Sequence, residues 1–170
     1  MKLKRYLGMG VFGWIVLVIL ALISLLILVL IFFEARKVYW DHEVKNMCEK
    51  DGGATVFEQV HLSQEKYKQL GGVNETIPVP PERYKKDSPY FARTITSEIR
   101  EWDPEVKKLT TEIVRRKDKK VLGIEIIYMR IGGGISLGIA HPSSFSCRDV
   151  AGVKLGIEKR IFVIDGIRDE

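Results

Sequence analysis

Between Tyr6 and Phe33 the chain carries no charged residue, and no other feature restricts its structure so strongly. From Val11 to Phe33 the run is Val, Ile, Leu and Phe, broken only by Gly13, Trp14, Ala21 and Ser24. As a helix it would rise about 35 Å, enough to cross a hydrocarbon core of roughly 30 Å. The core helix of a soluble protein would place polar residues every third or fourth position on its outer face, and this run offers no such face. Residues 11–33 are therefore expected to form a transmembrane helix behind a basic tail, residues 1–10, that holds Lys2, Lys4 and Arg5.

A cleavable signal peptide has a shorter apolar core, about 7 to 15 residues, and ends in small residues at its cleavage site. Here the exit reads Leu30-Ile31-Phe32-Phe33-Glu34-Ala35-Arg36, with no A-x-A pattern, so the helix is expected to be retained as a single-pass signal anchor. Trp14 near its start and Tyr39 with Trp40 beyond its end suit interfacial belts. No G-x-x-x-G pair marks a helix dimer. By positive charge the two flanks are nearly tied, Lys2, Lys4 and Arg5 against Arg36, Lys37, Lys45 and Lys50. A short tail before a long first apolar segment favours N-in, C-out, with the soluble domain extracytoplasmic.

The same tail explains most of the net charge of +5. Without Lys2, Lys4 and Arg5, 24 basic residues face 22 acidic ones, too even a balance for a nucleic-acid footprint. The expected partners are the lipid bilayer and a protein of unidentified kind, with no nucleic acid.

Beyond Phe33 neither Gly nor Pro interrupts residues 34–50, so the helix should continue as a juxtamembrane segment. Trp40, Val44, Met47 and Cys48 fall on one face of it, expected to pack on the domain. Asp51-Gly52-Gly53 supplies the stop. Residues 51–170 then read as one soluble domain. Val56, Val60 and Leu62 suggest a strand over 54–62, interrupted at Phe57 and Glu58, and Ser63 caps a short helix closed by Gly71-Gly72. Pro78, Pro80 and Pro81 make 73–88 a loop or extended crossing. Residues 106–116 and 119–131 flank the charged turn Arg116-Lys117-Asp118-Lys119 as a hairpin, with a neighbouring strand at 91–102. The Gly-rich segment 131–140 suits a strand closely approached by other backbone, and 161–164 a closing strand. The expected fold class is α+β: a transmembrane helix, its juxtamembrane continuation, and a small antiparallel sheet with one or two short helices.

Chemical motifs are sparse. Gly132-Gly133-Gly134 is followed by Ile135-Ser136 rather than Lys and Ser or Thr, so a turn or close backbone approach is the better reading than a phosphate loop. The segment His141-Pro142-Ser143-Ser144-Phe145-Ser146-Cys147 holds nucleophiles and a base but no G-x-S-x-G elbow, and is read as a capped turn. His42, His61 and His141 lack metal-ligand spacing, and neither a metal nor a cofactor is expected. Asn74-Glu75-Thr76 matches a glycosylation sequon, a pattern short enough to arise by chance. Arg115, Arg116, Lys117, Lys119 and Lys120 crowd the hairpin tip; a solvated turn is the plain reading, contact with an anionic surface the functional one. Cys48 and Cys147, the only cysteines, are expected to form a disulfide in an oxidising compartment. The functional expectation is a non-enzymatic binding or assembly module held at a membrane. The alternative is a tethered hydrolase or thiol enzyme centred on 141–147.

Overall fold

The computed structural model describes residues 3–69, 89–134 and 141–164. Along the chain the elements are α1 (Leu3–Asp51), β1 (Gly53–Val56), β2 (Val60–Leu62), α2 (Gln64–Gln69), β3 (Tyr90–Arg100), β4 (Glu105–Arg115), β5 (Val121–Ile131), β6 (Ser144–Ser146), α3 (Ile157–Ile161) and β7 (Phe162–Ile164).

Helix α1 runs unbroken through 49 residues. Among the described residues it is the one helix long and apolar enough to cross a membrane, and none of its most apolar stretch is buried inside the protein. Leu17, Leu22 and Phe32 are each more than half exposed. So continuous an apolar surface is strongly unfavourable in water, which separates α1 from a soluble core helix. Further on, one side of the same helix turns inward. Val44 and Cys48 are buried, and Trp40 and Met47 pack against their cluster, which is the face that the periodicity predicts. The helix ends where Gly52 donates its N–H to the Cys48 carbonyl at 3.0 Å. Gly53 then takes φ +107°, a left-handed conformation costly for a residue with a Cβ, and the chain turns into β1.

The main sheet is antiparallel throughout: β3 at one edge, then β4 and β5, with β1 and β6 sharing the far side of β5. The β4–β5 hairpin pairs from Glu105 with Ile131 to Val114 with Val121, so the expected hairpin is present with boundaries one or two residues shifted. β3 begins at Tyr90 and ends at Arg100, short of Trp102.

Two expectations need correcting. Residues 54–62 are not one strand: β1 joins the main sheet, whereas β2 pairs with β7 in a separate two-stranded sheet. The break falls at Phe57 and Glu58, whose N–H groups both donate to the Leu122 carbonyl and so end the ladder. The closing strand β7 pairs with β2 in parallel, not antiparallel, and Ile161 belongs to α3. The expected helix after Ser63 is present, with Ser63 Oγ accepting from the Lys66 N–H at 3.5 Å. The Gly71-Gly72 stop, the Pro-rich crossing, the sequon and residues 135–140 lie outside the described residues.

Among the described residues, two apolar clusters hold the domain together. One gathers Ile113 and Leu122 of the hairpin with Ile157, Ile161 and Phe162. The other joins Val44 and Cys48 of α1 to Val106, Tyr128, Cys147 and Val150. Helix α3 seats on β5 at Gly123, where a Cβ would come within 2.7 Å of the Thr55 carbonyl oxygen and 3.0 Å of Ile157 and Ile161.

Candidate functional site

A chain of polar contacts joins the domain to the helix. Side chains alternate along β5, so Tyr128 and Arg130 share the face that α1 covers. Arg130 is 1% exposed, although an isolated guanidinium would be very costly there. Its Nε donates to Asp41 Oδ1 of α1 at 2.6 Å. Its Nη1 donates to the Gly132 carbonyl, and to the Ser143 carbonyl and hydroxyl at 3.2 Å each. One buried cation thus ties together the helix, the end of β5, the glycine turn and the start of β6.

Nearer the apolar span, Asp103 is ion-paired with Arg36 and accepts the Gly133 N–H at 2.7 Å. Arg36 also lies over the Phe33 ring at 5.4 Å, and Arg100 over Trp40 at 5.0 Å. Gly132 has φ +87°, and a Cβ there would collide with the Asp103 carboxylate. Gly132 and Gly133, both at φ +87°, therefore form a turn against the side chains of Asp103 and Pro104, in line with the turn reading, and residues 132–134 are not part of a strand. At the other end of the contact, Asp51 accepts from the Tyr128 hydroxyl at 2.9 Å and pairs with Lys108 at 3.5 Å. Burial holds the Tyr128 hydroxyl above its ordinary pKa, and the hydrogen bond with Tyr128 raises that of Lys108.

Cys48 and Cys147 form a disulfide with Cα atoms 5.3 Å apart, within the roughly 7 Å that such a bond spans. Its position has a use beyond cross-linking. β1 pairs with Gly123–Ile126 of β5 and β6 with Met129–Ile131, so a gap separates them. In that gap the buried Tyr128 N–H donates to Cys147 Sγ at 3.1 Å.

Ser143 and Ser146 of the 141–147 segment are also engaged. Ser146 caps the following 3-10 turn, Cys147–Asp149, in a reciprocal capping box with Asp149. The Ser143 hydroxyl donates to the Gly132 carbonyl at 3.2 Å. His141 and Ser144 are exposed. Among the described residues no group of three or more His, Cys, Asp or Glu side chains is placed to hold a metal ion.

At the hairpin tip the five cations are not equivalent. Arg115 and Lys120 both pair with Glu58, at 2.7 and 2.6 Å, and Arg115 reaches Asp118 at 3.3 Å. Arg116 lies over the Phe91 ring at 5.0 Å, with Lys119 at 5.9 Å, while Lys117 is exposed. The hydrogen bond from Lys120 lowers the Glu58 pKa, aided by Arg115, and the Lys120 backbone N–H lowers that of Asp118.

The tip also has a direction. Contacts with α1 run from Asp103 at Arg36, through Arg130 at Asp41, to Tyr128 at Asp51. Climbing the helix away from the apolar span therefore means moving along the hairpin toward its tip. At roughly 3.3 Å per residue the tip lies about 35 Å along the strands from the end that meets Arg36.

Arg130, Asp41 and Asp103 escaped the reading of the sequence. A usable signal was present for Arg130, a cation in register with Ile124, Ile126 and Tyr128 on the apolar side of a strand. No protein-family model matches the chain, and comparison with curated proteins and with solved structures finds no match at a meaningful level of similarity.

Proposed function

We propose that this chain is a single-pass membrane protein, N-in and C-out, whose extracytoplasmic sheet domain is a non-enzymatic binding or assembly module. The observation that carries the proposal is the junction between helix and domain. The Arg36–Asp103 pair, the pairing of Asp41 with the buried Arg130 and the Cys48–Cys147 bond fix the domain along the juxtamembrane part of α1. A domain held in one orientation above a bilayer suits presentation of a surface to a partner. The disulfide favours an oxidising compartment. The hydrolase or thiol-enzyme reading of 141–147 has less support, because Cys147 is bonded to Cys48, Ser146 caps a turn and Ser143 belongs to the Arg130 network. The surface best suited to binding is β3, the edge strand of the sheet among the described residues and exposed from Arg93 to Ile99, where a partner strand could add.

Two measurements test the proposal. A phosphatase fused to the C-terminus should be active outside the cytoplasm; a reporter active only in the cytoplasm would overturn the orientation. A photo-crosslinker at Thr96, on β3, should give one discrete adduct in intact membranes, absent when the crosslinker is placed at Lys154. No adduct at Thr96, or the same pattern from both positions, would count against a binding role for this edge.

A further inference from the structure

Trp102 is 78% exposed, and Ile99 beside it is 47% exposed. Neither belongs to an apolar cluster of the described residues; Ile99 lies near the end of β3 and Trp102 in the β3–β4 turn. In most small domains this would be an isolated apolar surface of no consequence. Here the place of the turn along α1 changes its meaning. Asp103, the next residue, is ion-paired with Arg36, which follows the last apolar residue of the span, Phe33, by three positions. Three helical residues rise about 4.5 Å. The polar layer on each side of a bilayer is roughly 5 to 7 Å deep, so Arg36 lies within it when the apolar run fills the hydrocarbon core. Asp103 is held at that level, and with it Trp102.

We infer that the β3–β4 turn is a second membrane contact of this protein, with Trp102 inserted among the lipid head groups of the same bilayer that α1 crosses. This rests on the proposal that α1 spans a membrane. Indole suits that layer because its ring is apolar while its N–H finds hydrogen-bond acceptors there. The surrounding charges do not make the turn an electrostatic site. Arg36 is paired with Asp103, Lys107 bridges Glu98 and Glu105 at 3.8 and 2.7 Å, and Glu101 is exposed. The contact is therefore aromatic and independent of anionic lipid. The basic hairpin tip, at the other end of the same strands, faces away from this membrane. With α1 and Trp102 both in the bilayer, the sheet stands at a fixed tilt instead of swinging about a single helix.

The test uses the full chain in phosphatidylcholine vesicles whose acyl chains carry bromine near the head group, a short-range quencher of tryptophan emission. Wild type minus Trp102→Phe gives the Trp102 emission, and wild type minus Trp14→Phe gives that of Trp14 in the span. Both exchanges are at exposed positions, 78% and 73%, so the fold tolerates them. The expected result is loss of most of both components relative to vesicles without bromine, unchanged by salt. Quenching of Trp14 with full retention of the Trp102 component overturns the inference and leaves the spanning helix intact. Retention of both removes the spanning reading itself. Quenching of Trp102 that disappears at high salt would overturn the aromatic contact in favour of an ionic one.

Discussion

Replacing both Cys48 and Cys147 by alanine should cost the domain several kcal/mol, and the structure separates that cost into two parts. The bond joins residues 99 apart in sequence. In the chain-entropy account, closing a loop of that length restricts the unfolded chain by about 4.7 kcal/mol, which is an upper bound because real bonds often deliver less. The second part is local. Cys147 Sγ accepts from the buried Tyr128 N–H, so alanine leaves an orphan donor, which typically costs about 1 to 3 kcal/mol. Serine at 147 restores an acceptor of nearly the same reach. Cys48→Ala/Cys147→Ser should therefore be more stable than Cys48→Ala/Cys147→Ala, and both should be weaker than wild type. The assay is urea unfolding of the full chain in detergent micelles, followed by the fluorescence of Trp40, which packs on the domain cluster. Against a usual net stability of about 5 to 15 kcal/mol, the double alanine variant should show a large fall in midpoint, and reduction of the wild type should reproduce most of it. A midpoint unchanged by substitution and by reductant would refute the cross-link as a stabilising element. Equal stability of the serine and alanine variants would refute the role assigned to the sulfur in the gap of the sheet.

The Arg130–Asp41 pair should be asymmetric to substitution. Asp41→Asn strands a cation that is 1% exposed and should cost about 3 kcal/mol, whereas Arg130→Met leaves a carboxylate that is 27% exposed and should cost less. The joint variant Asp41→Leu/Arg130→Met should recover much of the loss in the same urea assay, and additive losses would contradict a coupled pair. Gly123→Ala should destabilise by about 1 to 3 kcal/mol, because its Cβ meets the Thr55 carbonyl of β1 as well as Ile157 and Ile161; an unchanged melting temperature would show that α3 and β1 give way easily. Glu58 has a depressed pKa in the folded state, so its stabilising effect is present above the unfolded value, about 4.3, and is lost as pH falls through the folded one. Glu58→Gln should thus be less stable than wild type at neutral pH and equal to it well below pH 4, with the gap narrowed by salt because the group is partly exposed.

The sequence alone determined the features that depend on local pattern. An apolar run with neither charge nor a polar face predicts one long helix with no side suited to water, and the structure has that helix and leaves the run unburied. The spacing of Trp40, Val44, Met47 and Cys48 was enough to choose the face that α1 turns to the domain, because helical geometry fixes which residues share a side. Alternating runs around a charged turn identified β4 and β5 for the same kind of reason. With only two cysteines the disulfide had one pairing, and geometry was the remaining condition.

Tertiary structure decided whatever depends on contacts between distant segments. Whether residues 54–62 formed one strand or two rested on the Leu122 carbonyl, which takes the N–H groups of Phe57 and Glu58. The parallel pairing of β2 with β7 joins segments about a hundred residues apart, and no local pattern reports such a partner. Arg130 could be recognised as out of place in its strand, but its partners Asp41 and Ser143 lie on other elements, and burial of the cation is tolerable only once they converge. The basic residues at 115–120 read as one patch in sequence. Folding brought Glu58 between Arg115 and Lys120 and set the tip at the far end of the sheet from the span, because the hairpin leads away from the point where Asp103 meets Arg36.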